Sequence, residues 1–152
     1  MTATTLEKPN TVSETMYKYS DLANLLAGLI EVEELKGVKF ALKVSKNIRL
    51  VRSELTELEN AAQPSDEFLK LATIVQGIEA SESSDVDVKR KEIEELEEKN
   101  KEVIEVRKAQ ILEFQKVMEE YTDITLFKLS EQHLPSDITA KQIDNISLII
   151  KE

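Results

Sequence analysis

The residues of this sequence that could do acid–base or metal chemistry are a single histidine and thirty carboxylates, with no cysteine. His133 stands beside Leu134 and Pro135 in a predicted loop, where it could serve as a general base or a ligand. A lone loop histidine without a fixed partner is more often a polar surface residue. No glycine-rich phosphate loop, GxSxG, HExxH or EF-hand spacing occurs. The sequence therefore predicts a protein that is not an enzyme and holds no cofactor or metal.

Adjacent carboxylates occur at Glu94–Glu95 and at Glu97–Glu98, in a stretch predicted to be helical. Thirty acidic residues make such pairs expected by chance. The simplest interpretation is a solvated helix face, and a divalent-cation site built from carboxylates alone is the alternative.

The strongest charge asymmetry is a basic segment from Lys36 to Arg52, which holds six basic residues and no acidic one. The whole chain has a net charge of −10, so the remainder must carry −16 (−10 − 6). Lys39, Lys43, Lys46 and Arg49 fall on one helical stripe beside the apolar one. The residues predicted to contact a partner protein are Lys39, Lys43, Lys46, Arg49 and Arg52, together with Asn100.

Three interpretations of this basic segment are open. It could bind nucleic-acid phosphates, which salt would weaken, or dock on an acidic protein surface. It could also be the solvated side of an amphipathic helix. The one aromatic residue among these lysines, Phe40, belongs to the predicted apolar stripe, so no ring is expected beside the basic one, which disfavours single-stranded nucleic acid. Asn47, between Lys46 and Ile48, is predicted to be a polar residue on the helix surface.

The composition favours long helices over a thick globular core. Of the 152 residues, 41% are apolar, 33% charged and 5% aromatic, and there are three glycines and three prolines. The acidic net charge argues against a nucleic-acid coat or a binder of anionic membranes. No apolar run reaches the roughly 18 residues of a membrane span, and the N-terminus lacks the apolar region of a secretory signal. The expected location is the cytoplasm or an assembly built there.

The longest predicted element is a helix from Val86 to Tyr121, without glycine or proline. Its apolar residues recur at steps of three and four and form a seam close to that of a coiled coil. A rod of roughly 50 Å must lie against another long helix or against another chain. Asn100 interrupts the seam. It either fixes the register or oligomeric state, or is a solvated residue where the seam splays.

Shorter helices precede and follow this long one in the sequence, and capping residues mark where they begin. The second helix spans Val38 to about Ala62, and the third turns Leu69 inward with its other apolar residues. Phe114 and Phe127 are interpreted as core. The predicted caps and stops are Ser20 and Gly37 for the first helix, Ser65 for the third, Ser84 or Asp85 for the long helix, and Thr139 with Gln142 for the last.

The two ends of the chain behave differently from its middle. Residues 1–18 are predicted to form an extended polar tail, before a single helical domain over 19–152. After Tyr121, alternation from Ile124 to Ser130 predicts a short β-like run, which needs a partner strand. That partner is either a stretch near Val38–Leu42 or a strand of another chain. The predicted fold is mainly α: an antiparallel helical hairpin or coiled coil of the second and long helices, with a small C-terminal α+β patch.

Three stretches resemble a family of small uncharacterised phage and prophage proteins: VKFALKVSKNIRLVRSELTELE, EFQKVMEEYTDITLFKL and LPSDITAKQIDNISLIIKE. The resemblance covers about Tyr19–Ala61 and Arg107–Glu152. Its distinctive parts are Lys46-Asn47-Ile48 and the spacing of isoleucine and leucine in the C-terminal stretch. The chain departs from the family in its N-terminal tail and in a longer middle between Ala62 and about Val106. The resemblance implies a phage origin and carries over no catalytic residue.

Two hypotheses of different classes follow. The first is a non-enzymatic bacteriophage structural or assembly protein, in the virion or the host cytoplasm, whose partners are other phage proteins or further copies of itself. The alternative is an acidic helical phage protein that inhibits or decoys a host enzyme or defence factor by mimicking nucleic-acid charge. Direct nucleic-acid binding through Lys39–Arg52 is a third, disfavoured hypothesis, and no membrane contact is expected.

Overall fold

The computed structural model of the chain describes residues 15–82 and 85–151, and these are mainly helical with a small antiparallel sheet. The predicted mainly α fold with a small C-terminal α+β patch is confirmed. In chain order the elements are β1 (Met16–Lys18), α1 (Tyr19–Val32), α2 (Val38–Ala61), α3 (Asp66–Ala80), α4 (Val86–Lys99), α5 (Lys101–Val117), β2 (Tyr121–Asp123) and α6 (Ala140–Asn145), with 3₁₀ helices at Glu131–His133 and Ser147–Ile149.

The chain forms two compact units. Unit 1 consists of Met1–Ala61 and Lys116–Glu152, and unit 2 consists of Ala62–Gln115. Helix α1 packs against α2 within unit 1, and α3 packs against α4 within unit 2. Both pairings join helices that follow each other in the chain, whereas the predicted hairpin joined α2 to the long helix. The single domain predicted over 19–152 stays a prediction.

The core of unit 1 is built from the apolar stripes of α1 and α2. Helix α2 spans Val38–Ala61, as its periodicity predicts. The predicted cap of α1 is wrong: the helix begins at Tyr19, and the backbone N–H of Ser20 donates to the Met118 carbonyl at 2.8 Å. Gly37, at φ 133°, starts α2 rather than ending α1, because its carbonyl accepts the N–H of Ala41. The buried residues are Leu22, Leu25, Leu29 and Val32 of α1 and Phe40, Val44, Ile48, Val51 and Leu55 of α2.

The sheet joins the end of the predicted tail to the stretch after α5. Strand β1 pairs antiparallel with β2, with Met16 opposite Asp123 and Lys18 opposite Tyr121. The partner expected near Val38–Leu42 is therefore wrong, since those residues are helical. Residues 1–14 of the tail lie outside the described residues.

The C-terminal segment closes the core of unit 1. The capping box of Thr139 and Gln142 is confirmed, and α6 ends at Asn145, earlier than the apolar spacing suggests. Ile146 and Ile149 are fully buried. Leu129 forms a parallel bridge with Ile150, and its N–H donates to the Ile149 carbonyl at 2.6 Å.

Unit 2 contains α3, α4 and most of α5. The predicted cap Ser65 accepts the N–H of Phe68 at 3.1 Å and is confirmed. Asp85 caps α4 by accepting the N–H of Asp87, and the other candidate, Ser84, lies outside the described residues. Leu69 was expected to face inward, but it is 48% exposed. Leu71 is the buried residue of α3, at 6% exposure.

The long helix predicted over 86–121 is wrong in two respects. It is interrupted at Asn100, whose backbone adopts φ −114° and ψ 25°, and it ends at Val117. The amide side chain of Asn100 donates to the Leu96 carbonyl at 2.8 Å. Asparagine side chains compete in this way with the helical hydrogen bonds, which is why they favour helix ends and turns.

Candidate protein-interaction surfaces

The predicted contact residues of α2 differ in how far their side chains are exposed. Lys39, Arg49 and Arg52 are exposed, whereas Lys43 and Lys46 are partly buried. Lys39 and Lys43 are one helical turn apart, and Lys46 follows after a further three residues, so these three share one strip. Arg52 is thirteen residues after Lys39, which places it roughly 140° around the helix. Arg49 follows Lys46 by three more residues, so four of the five cations lie along one side of α2, as predicted, and Arg52 lies apart from them.

An aromatic ring lies against this strip. The ammonium groups of Lys43 and Lys46 are 6.0 and 5.3 Å from the centre of the Phe127 ring. Cations at this distance over an aromatic face are attracted by its quadrupole, typically by about 0.5–1 kcal/mol at exposed sites. Phe127 is 39% exposed, so its interpretation as a core residue is wrong.

Asn47 determines where this ring lies. It was expected on the helix surface, but it is fully buried, and its Oδ1 accepts the Phe127 N–H at 2.8 Å. Its Nδ2 donates to the carbonyls of Phe127 at 2.8 Å and of Lys43 at 2.9 Å. These bonds satisfy both backbone groups of Phe127, as a neighbouring strand would.

The alternation after β2 then turns the ring outward. Ile124 and Leu126 are buried, whereas Thr125 and Phe127 face solvent. The run is therefore extended, as predicted, and it is held by a side chain of α2 at Phe127 and by the C-terminal segment at Leu129. We call the surface formed by Lys39, Leu42, Lys43, Lys46 and Phe127 the basic–aromatic patch.

The basic–aromatic patch combines three lysines with two exposed apolar side chains, Leu42 and Phe127. Leu42, half-exposed, lies beside the lysine strip on α2. Among residues 15–82 and 85–151, side-chain ion pairs join Lys18 to Glu119 and Arg90 to Asp87, so none of them involves the patch. Its ammonium groups are therefore available to carboxylates or phosphates.

A surface of opposite sign lies on unit 2. Seven glutamates and two lysines fall between Glu92 and Glu105, and all nine side chains are exposed. Part of this face forms a groove of about 430 Å³, with Ile104 as its apolar member. We call this groove the acidic groove, and its lining residues are Glu94, Glu97, Glu98, Lys101, Ile104, Glu105 and Lys108.

A second groove of unit 2 is apolar. It has a volume of about 380 Å³ and lies between α3 and α5. At its side, Arg107 donates to the Ala62 carbonyl at 2.7 Å and to Gln110 Oε1 at 2.7 Å, and its guanidinium lies 5.8 Å from the Phe68 ring centre. We call it the apolar groove, and its main lining residues are Phe68, Leu71, Val75, Ile104, Arg107 and Ile111.

The remaining candidate residues lie apart from these surfaces. His133 ends the 3₁₀ helix Glu131–His133 of unit 1 and is partly buried. Asn100, the predicted contact residue of the long helix, is partly buried, and its side chain donates to the Leu96 carbonyl one helical turn earlier. Within the described ranges no group of three or more histidine and acidic side chains is arranged to hold a metal. None of the helices found there combines the length and apolarity needed to cross a membrane.

The basic–aromatic patch contains one residue, Phe127, that is not among the contact residues predicted from the sequence. The sequence does contain a signal for its exposure. If Ile124 faces the core, the alternation of the run places Phe127 on the outer face. What the sequence could not supply was the neighbour of that face, because Asn47 is eighty positions away.

Comparison of the chain with models of protein families, with curated proteins and with solved structures gave no match.

Proposed function

We propose that this chain is a non-enzymatic structural or assembly component of a bacteriophage particle. It acts through helix packing and protein–protein contacts, in the virion or in the host cytoplasm before assembly. The phage origin is supported by the resemblance of its α2 and C-terminal stretches to small phage and prophage proteins.

The observation that carries the proposal is how little apolar surface unit 2 covers by itself. In its described part, Leu71 is the one buried apolar residue, and neither α4 nor α5 contains any. Leu69 is 48% exposed and Val106 is 63% exposed, and the apolar groove opens to the surface of the unit. About fifty residues with one buried side chain lack the core that folding alone requires. Protein neighbours that cover these helices would supply it.

The test is quantitative mass spectrometry of particles purified through a density gradient. The proposal predicts that the chain is present at a fixed ratio to the major particle protein and that it survives washing. Abundant host proteins serve as the control for trapped material. A chain detected only at the level of those host proteins would contradict the proposal.

A second candidate function is favoured by the glutamates between Glu92 and Glu105. A dense row of exposed carboxylates on a helix can imitate the phosphates of nucleic acid and occupy the basic site of a host protein. The chain would then act as an inhibitor or decoy. A pull-down from host lysate tests it, with a variant in which Glu94, Glu97 and Glu98 are changed to Gln as the control. Recovery of no stoichiometric partner, or of the same proteins by both baits, would reject this function.

A further inference from the structure

We propose that the basic–aromatic patch of one copy binds the acidic groove of a second copy. The inference rests on the proposed function and names the first partner of the chain as the chain itself. Each copy carries both surfaces, on different units, so the contact is heterologous. Heterologous contacts join copies into rings when the rotation closes and into open filaments when it does not.

Both surfaces carry charges without ionic partners. Neither of the two ion pairs in the described ranges involves a residue of the patch or of the acidic groove. A surface with several unpaired charges of one sign steers a surface of the other sign into contact and fixes its orientation. Because the chain has a net charge of −10, most of its charged surface is acidic and a basic surface is the exception.

The charged residues of the two surfaces also match in spacing. Lys39 and Lys43 are separated by one helical turn, and so are Glu94 and Glu98, with rises of roughly 6 Å along their helices. Two helices lying side by side can therefore form two ion pairs without distortion. Each surface also has an apolar member among its charges, Phe127 in the patch and Ile104 in the groove.

The basic–aromatic patch is organised before it binds. Asn47 fixes the backbone of Phe127 with two hydrogen bonds, and the ring restrains the ammonium ends of Lys43 and Lys46. Side chains that are already restrained lose less conformational entropy on association. An unstructured row of lysines would lack this advantage.

Nucleic acid fits these observations less well. A single aromatic ring provides one stacking platform at most, and here two ammonium groups already lie over it. Single-strand binders use several aromatic residues along a positively charged groove. The chain as a whole is also strongly acidic, which repels phosphates.

The test is a charge swap between two full-length variants, followed by light scattering at low and high salt. The basic-reversed variant is K39E/K43E/K46E, and the acid-reversed variant is E94K/E97K/E98K. Wild type is expected to associate at about 20 mM salt and to dissociate towards the monomer at about 500 mM. Each variant alone is expected to associate at least about tenfold more weakly, because like charges then face each other. An equimolar mixture of the two is expected to associate again, and so is the chain that carries all six changes.

Two controls keep the result interpretable. K70E/K141E/K151E changes the net charge by the same amount as the basic-reversed variant, but at exposed positions elsewhere. It is expected to associate like wild type. Should K39E/K43E/K46E fail to fold by circular dichroism, K39Q/K43Q/K46Q removes the charges while keeping the side chains long. That variant is expected to show the same weakening, although smaller.

Several outcomes would overturn the inference. These are a monomeric wild type at low salt, association that the reversals leave unchanged, or folded variants that do not associate when mixed. Salt-sensitive binding of a single-stranded oligonucleotide that K39Q/K43Q/K46Q abolishes would assign the patch to nucleic acid instead. A chain that is present in purified particles while the reversals have no effect would refute only this inference and leave the proposed function standing.

Discussion

The side-chain amide of Asn47 holds the backbone of Phe127 at both of its polar groups. Its Oδ1 accepts the Phe127 N–H and its Nδ2 donates to the Phe127 carbonyl, each at 2.8 Å. A third bond, from Nδ2 to the Lys43 carbonyl at 2.9 Å, anchors the amide to its own helix. One buried residue therefore both attaches the extended C-terminal run to α2 and places an aromatic ring among lysines.

Replacing Asn47 by alanine is predicted to lower the free energy of unfolding by about 2–4 kcal/mol. The change leaves the N–H and carbonyl of Phe127 without their partners in a partly buried site and opens a void beside α2. Urea unfolding followed by circular dichroism measures the loss, with an unchanged m value as evidence of two-state behaviour.

Asn60 provides the matched control, because it is an exposed asparagine of the same helix. N60A is predicted to change the free energy of unfolding by no more than about 0.5 kcal/mol. Equal effects of N47A and N60A would mean that the bonds to Phe127 contribute nothing to stability.

Two glycines inside helices are predicted to respond in opposite directions to alanine. A Cβ on Gly28 would lie 2.8 Å from the carbonyl oxygen of Asn145, a backbone atom that cannot easily move. G28A should therefore destabilise unit 1 by about 1–3 kcal/mol. A Cβ on Gly77 meets nothing within 4 Å, so G77A should stabilise its helix by about 0.5–1 kcal/mol. Urea unfolding of both variants checks the signs, and a neutral G28A would contradict the close packing of α1 on α6.

Asn100 is predicted to act as a local interruption of the helix. N100A should extend the helix through this position and raise the free energy of unfolding by up to about 0.7 kcal/mol, because alanine is the better helix former. Circular dichroism should show more helix, and the exposed neighbour variant E102A should leave both quantities nearly unchanged. A loss of stability, or a changed solution mass, would instead assign Asn100 the role of fixing a register between chains.

Arg107 is predicted to contribute more to unit 2 than its charge suggests. It bonds the Ala62 carbonyl and Gln110 and lies over the Phe68 ring. R107A should lower the free energy of unfolding by about 1–2 kcal/mol, whereas the exposed neighbour K108A should stay within about 0.5 kcal/mol. Hydrogen exchange of residues 62–115 measures the effect locally. Unchanged protection in R107A would show that α3 is held by its apolar contacts alone.

Local features of this fold could be predicted from the sequence because they depend on nearby residues. The apolar spacing of α2 predicts its bounds, and Ser65, Asp85 and Thr139 cap the helices that follow them. Each of these features is decided within a few positions of chain, by helical periodicity or by a side chain that meets the free N–H groups of the first turn.

Features that depend on distant partners were missed. Strand β1 pairs with residues more than a hundred positions away, and three residues alone carry no strand signal. Asn47 looks like a surface residue until the extended run arrives beside it. Phe127 is predicted to be core because aromatic residues are usually buried, but its ring is exposed and lies near lysines. Burial and charge pairing of this kind are tertiary facts, which sequence periodicity does not contain.

Self-association of the chain is tested by the solution mass of the purified wild-type protein, measured by light scattering over a wide range of concentration at low salt. The exposed surfaces of this chain are proposed to join it to protein neighbours, beginning with its own copies. This proposal predicts a mass above 17.3 kDa that rises with concentration and falls when salt is added. A constant mass of 17.3 kDa at every concentration would contradict it.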